Sequence, residues 1–330
     1  MYAEEAMKES FVPAYWATNP HVQTILGSIK FRLTGTHSMI DASREMIIKG
    51  VEGSRLLGYY SPQPSFHRLG LVTLIHGWEG SSESTYIKST GEYLYERGYD
   101  IFRLNLRDHG NSHHLNEGLF HGALIDETFH AVRNIAYLSD EAPYYLVGFS
   151  LGGNFALRIA LKNSFLKIPH LRHVFSISPA LDPYKVTLAI DDNFRIYRHY
   201  FLGKWKRSLR KKQTAFPHLY DFKNILHKNT CMALTEAVMQ YYPHFDNYRK
   251  YFNLYTLLGD ALTDIDIPVT IIAAEDDPIV PVGDLFELKK NRYIQTHIHK
   301  YGGHCGFLNF FPFTCWYEEK IEHMLLERHP

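Results

Sequence analysis

Hydrophobic residues occur along the chain in short, largely apolar runs, separated by stretches in which they recur every three to four positions. Leu71 to Ile75, Ile101 to Leu106, Tyr144 to Val147, Val174 to Ile177 and Val269 to Ala273 are runs of the kind a strand makes when both its faces are covered. Helical patterns lie between them. One covers Tyr86 to Arg97 and is stopped by Gly98; another covers Asp126 to Leu138, with Phe129, Val132, Ile135 and Ala136 on one side. This alternation predicts an α/β fold, a mostly parallel sheet with helices on both faces. Ahead of it, Glu45 to Lys49 and Arg55 to Tyr60 flank Gly50-Val51-Glu52-Gly53 and read as an antiparallel hairpin at the sheet edge. The first forty residues read as an irregular, proline-punctuated strap offering Phe11, Tyr15, Trp16, Val22 and Ile25 to the core. The chain ends with a helix near Leu285 to Leu288, a last strand at Ile294 to His299 and a closing helix with Trp316, Ile321, Met324 and Leu325.

The alternation stops between Asp182 and Asp266, where a long, aromatic-rich helical segment intervenes. It reads as a helical cap insertion, 182–266, separating the strap and first part of the core (1–181) from the remainder (267–330). Phe194, Tyr197, Phe201, Trp205 and Leu209 follow three-to-four spacing, opposed by Lys204, Lys206, Arg207, Arg210, Lys211 and Lys212. A basic face of this kind suits a membrane surface. A cap helix with aromatics inward and charges in water accounts for the same pattern, and is the reading preferred here.

The candidate chemistry is concentrated at Gly148-Phe149-Ser150-Leu151-Gly152-Gly153, where a buried strand runs into a helix begun by Asn154-Phe155-Ala156-Leu157. A glycine-flanked serine at a strand-to-helix turn is a nucleophile elbow, its hydroxyl held up by a bend too sharp for side chains. A serine hydroxyl needs a base, and the base needs a carboxylate to hold its tautomer. In chain order, Asp277 follows the strand ending at Ala273 and is fixed among Pro278 and Pro281. His304 follows the last strand within Gly302-Gly303-His304-Cys305-Gly306. All three sit at carboxyl ends of strands and so on one edge of the sheet. Asp276 and Asp182 are the rival carboxylates, and Asp277 is favoured because it heads the proline-fixed turn. For an oxyanion, the loop His76-Gly77-Trp78-Glu79-Gly80 offers the Trp78 amide, and the elbow offers that of Leu151. His76 reads as a structural hydrogen-bonder, and Arg107 to Ser112 as shaping the same edge without a catalytic role.

Composition narrows the alternatives. Lys plus Arg balances Asp plus Glu at 35 each in 330 residues, which leaves no long-range field to gather nucleic acid. Cys231, Cys305 and Cys315 are too few and scattered for a disulfide framework or zinc site, and the 20 histidines are dispersed, His113-His114 lacking companion ligands. No cofactor or metal is expected. Met1 to Ser10 lacks a signal-peptide pattern and no apolar run reaches membrane-spanning length, so the expected compartment is the cytoplasm.

Phe11-Val12-Pro13, Trp16, Asn19-Pro20-His21-Val22-Gln23-Thr24, His76-Gly77, the Ser150 elbow, Asp276-Asp277-Pro278 and Gly302 to Phe307 together resemble the α/β-hydrolases, and within them the YheT-like esterases related to α/β-hydrolase domain-containing lipases. By that resemblance Ser150, Asp277 and His304 match nucleophile, acid and base. The implied activity is carboxylic-ester hydrolysis, with acyl transfer to alcohols an extension of it, and Trp78 stands where the family usually has a smaller aliphatic residue. The expectation is a serine hydrolase acting on small ester or lipid-like substrates of short to medium acyl chain. Acyltransferase, thioesterase and lipase or phospholipase chemistry would use the same triad, and a binding protein that kept the fold is the non-enzymatic alternative.

Overall fold

Strands buried on both faces need partners on both edges, and the apolar runs supply the middle of one eight-stranded sheet. The computed structural model describes residues 10–29, 37–64, 68–242, 244–311 and 313–327. The strands are β1 (Arg44–Lys49), β2 (Arg55–Ser61), β3 (Gly70–Ile75), β4 (Tyr99–Leu104), β5 (Tyr144–Phe149), β6 (Leu171–Ile177), β7 (Val269–Ala274) and β8 (Ile294–His299), in the spatial order β1-β2-β4-β3-β5-β6-β7-β8. The β1–β2 and β2–β4 pairs are antiparallel and all others parallel. Strands β3, β4, β5 and β7 are buried throughout.

The pleat sends alternate residues to opposite layers. Leu71 and Ile75 join Phe129 and Val132 of α4 (Ile125–Ala136) and Phe155 and Ile159 of α5 (Leu151–Phe165). Val72 and Leu74 join Ile87 and Leu94 of α3 (Thr85–Tyr95) and Ile321 and Leu325 of α11 (Trp316–Leu326). Strand β4 starts and stops two residues earlier than its apolar run. Leu106 is buried, but its amide leaves the ladder for His76 Nε2 at 3.2 Å.

The strap is less irregular than expected. Residues Pro20–Ser28 form α1, capped by Asn19, whose Oδ1 accepts from the amides of His21 (2.9 Å) and Val22 (3.3 Å), with Pro20 as the first helical residue. Hydrophobic periodicity misses this helix because the face it buries is Gln23, Thr24 and Gly27. A one-turn helix, α2 (Ser38–Asp41), follows.

Between β6 and β7 lie α6 (Pro183–Asp192), α7 (Arg195–Ala215), α8 (Cys231–Val238) and α9 (Tyr248–Asn253), with a cluster of their own around Ile190, Leu202, Leu209, Phe222, Leu234 and Val238. The short α10 (Gly283–Phe286) and a hairpin of β9 (Leu308–Phe310) and β10 (Phe313–Cys315) complete the elements. No described helix is long and apolar enough to cross a membrane.

Lys212 departs from the expected solvent face of α7. It is 1% exposed and donates to Asp108 Oδ1 (2.8 Å), Asn116 O (2.6 Å) and Gly118 O (2.9 Å). Tyr220 Oη donates to Glu117 O, Tyr242 Oη donates to Phe120 O, and Tyr251 Oη accepts from the Gly122 amide. The segment between β6 and β7 is thus tied at several points to the stretch 108–122 that follows β4. Removing one partner of a buried ion pair strands the other charge, which typically costs about 3–5 kcal/mol. Lys212→Met is expected to lose stability of that order in urea unfolding, and Lys212→Met with Asp108→Asn to lose clearly less. Equal losses would show that the ion pair does not anchor α7.

Candidate active site

Ser150 joins β5 to α5 with φ 55° and ψ −117°, a conformation that costs energy and persists only when its surroundings enforce it. The enforcement is steric. A Cβ on Gly148 would lie 2.1 Å from the Gly152 carbonyl oxygen, and one on Gly152 would lie 2.3 Å from that of Ile75. The Ser150 amide also donates to Ile177 O at 2.8 Å, tying the bend to β6.

Asp277 heads the turn after β7. Its Oδ1 accepts from the amides of Ile279 (2.8 Å) and Val280 (2.9 Å), which leaves Oδ2 to accept from His304 Nδ1 at 2.7 Å. A carboxylate only accepts, so in the neutral ring Nδ1 carries the proton and Nε2 keeps its lone pair. Burial alone would lower the His304 pKa. The Asp277 charge and hydrogen bond, with Cys305 adding to them, outweigh it and hold the imidazole well above its ordinary value.

The rival carboxylates have other partners. Asp182 Oδ1 caps α6, accepting from the Tyr184 and Lys185 amides. Asp276 Oδ1 accepts from the Gly303 amide at 2.9 Å, so Asp276 grips the backbone of the histidine loop without reaching the ring.

That loop is tight, with left-handed backbone at Gly303 (φ 56°), Cys305 (φ 56°) and Phe307 (φ 52°). It is clamped from below by α1. Thr24 Oγ1 accepts from the His304 amide at 2.9 Å and donates to Pro20 O, while Gln23 exchanges two hydrogen bonds with the backbone of Leu308. A Cβ on Gly303 would lie 2.5 Å from Pro20 O. His21 Nδ1 meets Tyr197 Oη of α7 at 2.8 Å, so the strap touches both the histidine loop and the inter-strand helices. Reasoning from hydrophobic pattern could not find Thr24, Gln23 and His21 as site residues. The signal that was present is the Asn19-Pro20 helix start.

The loop after β3 is held as firmly. The Gly77 amide donates to Tyr86 Oη at 3.0 Å, the Glu79 amide to His109 Nε2 at 3.1 Å, and Lys204 Nζ donates to Glu79 O at 3.2 Å. His76 is buried with its pKa well below the ordinary value, chiefly through burial, and bonds only backbone: Nδ1 to Gly77 O, Nε2 to the Leu106 amide. The amides of Trp78 and Leu151 take no acceptor among the described residues. The Trp78 ring stacks on Phe201 at 5.4 Å and meets Trp205 edge-on at 5.2 Å.

Two cavities converge on Ser150. The larger, about 330 Å³, is bounded by His304, Gly77, Tyr86, Ile25, Ile196 and Tyr200. The smaller, about 80 Å³, is bounded by Leu151, Pro183, Ile190, Val238, Met239 and Tyr255. Trp78, Phe201 and Ile279 stand at both. The expected site residues are therefore gathered at one place, with Asp277 behind His304. Among the described residues no three His, Cys, Asp or Glu side chains converge to hold a metal.

A family model described as alpha/beta hydrolase fold matches residues 70–310, and the chain belongs to that family. More particularly, it is 23% identical to putative esterase YheT of Escherichia coli over 92% of this chain and 89% of that protein, and 23% identical to mouse phospholipase ABHD3 over 95% and 77%. Among solved structures, the Pyrococcus furiosus esterase PF2001 superposes with a TM-score of 0.54 at 16% identity, covering 89% of this chain and 95% of that one.

Because Asp277 raises the His304 pKa against the pull of burial, the imidazole should titrate above 6.5 by NMR, and Asp277→Asn should lower that value. A His304 titration unmoved by Asp277→Asn would mean that the two groups do not interact in solution.

Proposed function

We propose that the chain is a serine hydrolase cleaving carboxylic esters of short to medium acyl chain through an acyl-enzyme on Ser150. The observation that carries this reading is that Ser150, His304 and Trp78 line one apolar cavity, while Asp277 accepts from His304 Nδ1. The names of the relatives, an esterase and a phospholipase, point to the same reaction class.

In the first half-reaction, His304 Nε2 takes the Ser150 proton as Oγ attacks the ester carbonyl. The developing oxyanion is met by the amides of Trp78 and Leu151, the latter at the positive end of α5. Collapse breaks the acyl–oxygen bond, and the imidazolium returns its proton to the departing alcohol. Water, activated by the same nitrogen, then attacks the acyl-enzyme and releases the acid, restoring Ser150. Asp277 stabilises the imidazolium in both halves. Helices α6 to α9 act as a cap that keeps bulk water from the acyl group.

Ser150→Ala should remain folded by circular dichroism yet lose fluorophosphonate labelling and p-nitrophenyl ester turnover. Asp277→Asn should lower turnover by roughly four powers of ten by presenting the wrong tautomer. Asp182→Asn, which keeps a cap acceptor, should lose little. Labelling that survives in Ser150→Ala would place the nucleophile elsewhere.

A further inference from the structure

The two cavities at Ser150 differ about fourfold in volume, and only the larger is bordered by His304. Resting on the acyl-enzyme reading above, this asymmetry fixes which half of an ester goes where. When the tetrahedral intermediate collapses, the acyl carbon stays on Ser150 Oγ, the bond from that carbon to the alkoxy oxygen breaks, and that oxygen receives the proton from His304 Nε2. The alcohol oxygen must then lie within hydrogen-bond reach of the imidazole, and the alcohol's carbons extend into the space on that side. The acyl chain leaves the carbonyl in the other direction, past Leu151.

We infer that the 330 Å³ cavity holds the alcohol and the 80 Å³ cavity the acyl group, so that the substrate class is a short-chain acyl ester of a long apolar alcohol. The sizes support the assignment. The larger cavity has room for a chain several times longer than the smaller one admits. The lining of the acyl cavity includes Val238 and Tyr255, both buried, and Met239. The alcohol cavity is lined in part by residues open to solvent, Ile196 being 51% and Tyr200 48% exposed. Its outer walls, Ile25 of α1 and Ile196 and Tyr200 of α7, are hydrophobic and suit an alkyl or isoprenoid alcohol better than a polyol.

The test is a pair of isomeric esters with the chain on opposite sides, decyl acetate and methyl undecanoate, assayed by acid release with fluorophosphonate labelling of the same preparation. The expected result is a kcat/KM for decyl acetate at least about tenfold higher, since a misfit of even one methylene in a closed pocket is worth that much. Met239→Ala, which lengthens the acyl cavity, should narrow the gap by raising methyl undecanoate hydrolysis. Ile25→Trp, which narrows the alcohol cavity, should lower decyl acetate hydrolysis. Equal rates, or a preference for methyl undecanoate, overturn the assignment while leaving the serine-hydrolase reading intact. Labelling of Ser150 with hydrolysis of neither ester also overturns it. Absence of both labelling and hydrolysis would defeat the underlying reading itself.

Discussion

There is no room for a side chain where β5 turns into α5, and the rest of the site depends on that fact. Hydrogen atoms at Gly148 and Gly152 let the first turn of the helix pass against the β3 carbonyls of Ile75 and His76, far closer than any Cβ would allow. This approach brings the start of the helix beside the loop after β3, and the Leu151 amide has no acceptor among the described residues. The approach also forces Ser150 into a left-handed bend directed out of the sheet. The parallel sheet supplies the remainder, because β7 and β8 deliver Asp277 and His304 to the same edge.

Against this rigid edge, the helices between β6 and β7 are attached by a small number of polar ties. Lys212, Tyr220, Tyr242 and Tyr251 all bond the 108–122 stretch, mostly to its backbone. Phe120 and Gly122 of that stretch line the smaller cavity together with Tyr242 and Tyr251, so these hydrogen bonds bear on its shape.

Much of this was legible in the residues. Buried parallel strands announce themselves as largely apolar runs, and β3, β5, β6 and β7 lie where those runs do, whereas the part-buried β8 carries none. The elbow and the turns bearing Asp277 and His304 were legible because glycine and proline mark backbone bends irrespective of what packs around them. Features that depend on a polar residue being buried were not legible. Helix α1 buries Gln23 and Thr24, Lys212 sits among the cationic residues of α7 yet is enclosed, and Asp276 uses its carboxylate on the Gly303 amide. In each case a hydrophilic side chain is in the interior because of one specific partner distant in sequence, and no local periodicity encodes the partner.

The clamp between α1 and the histidine loop separates what defines the family from what completes this molecule. The family match begins at residue 70, and a chain trimmed to it would retain Ser150, Asp277 and His304 along with every strand of the parallel sheet. It would lose Thr24 beneath the His304 amide, Gln23 against Leu308, His21 against Tyr197 and the Ile25 wall of the larger cavity. Such a trimmed chain would keep the Ser150, Asp277 and His304 motifs while lacking the strap motifs and the contacts that brace the His304 loop. A chain cut at residue 70 would therefore part the His304 loop from the helix that supports it.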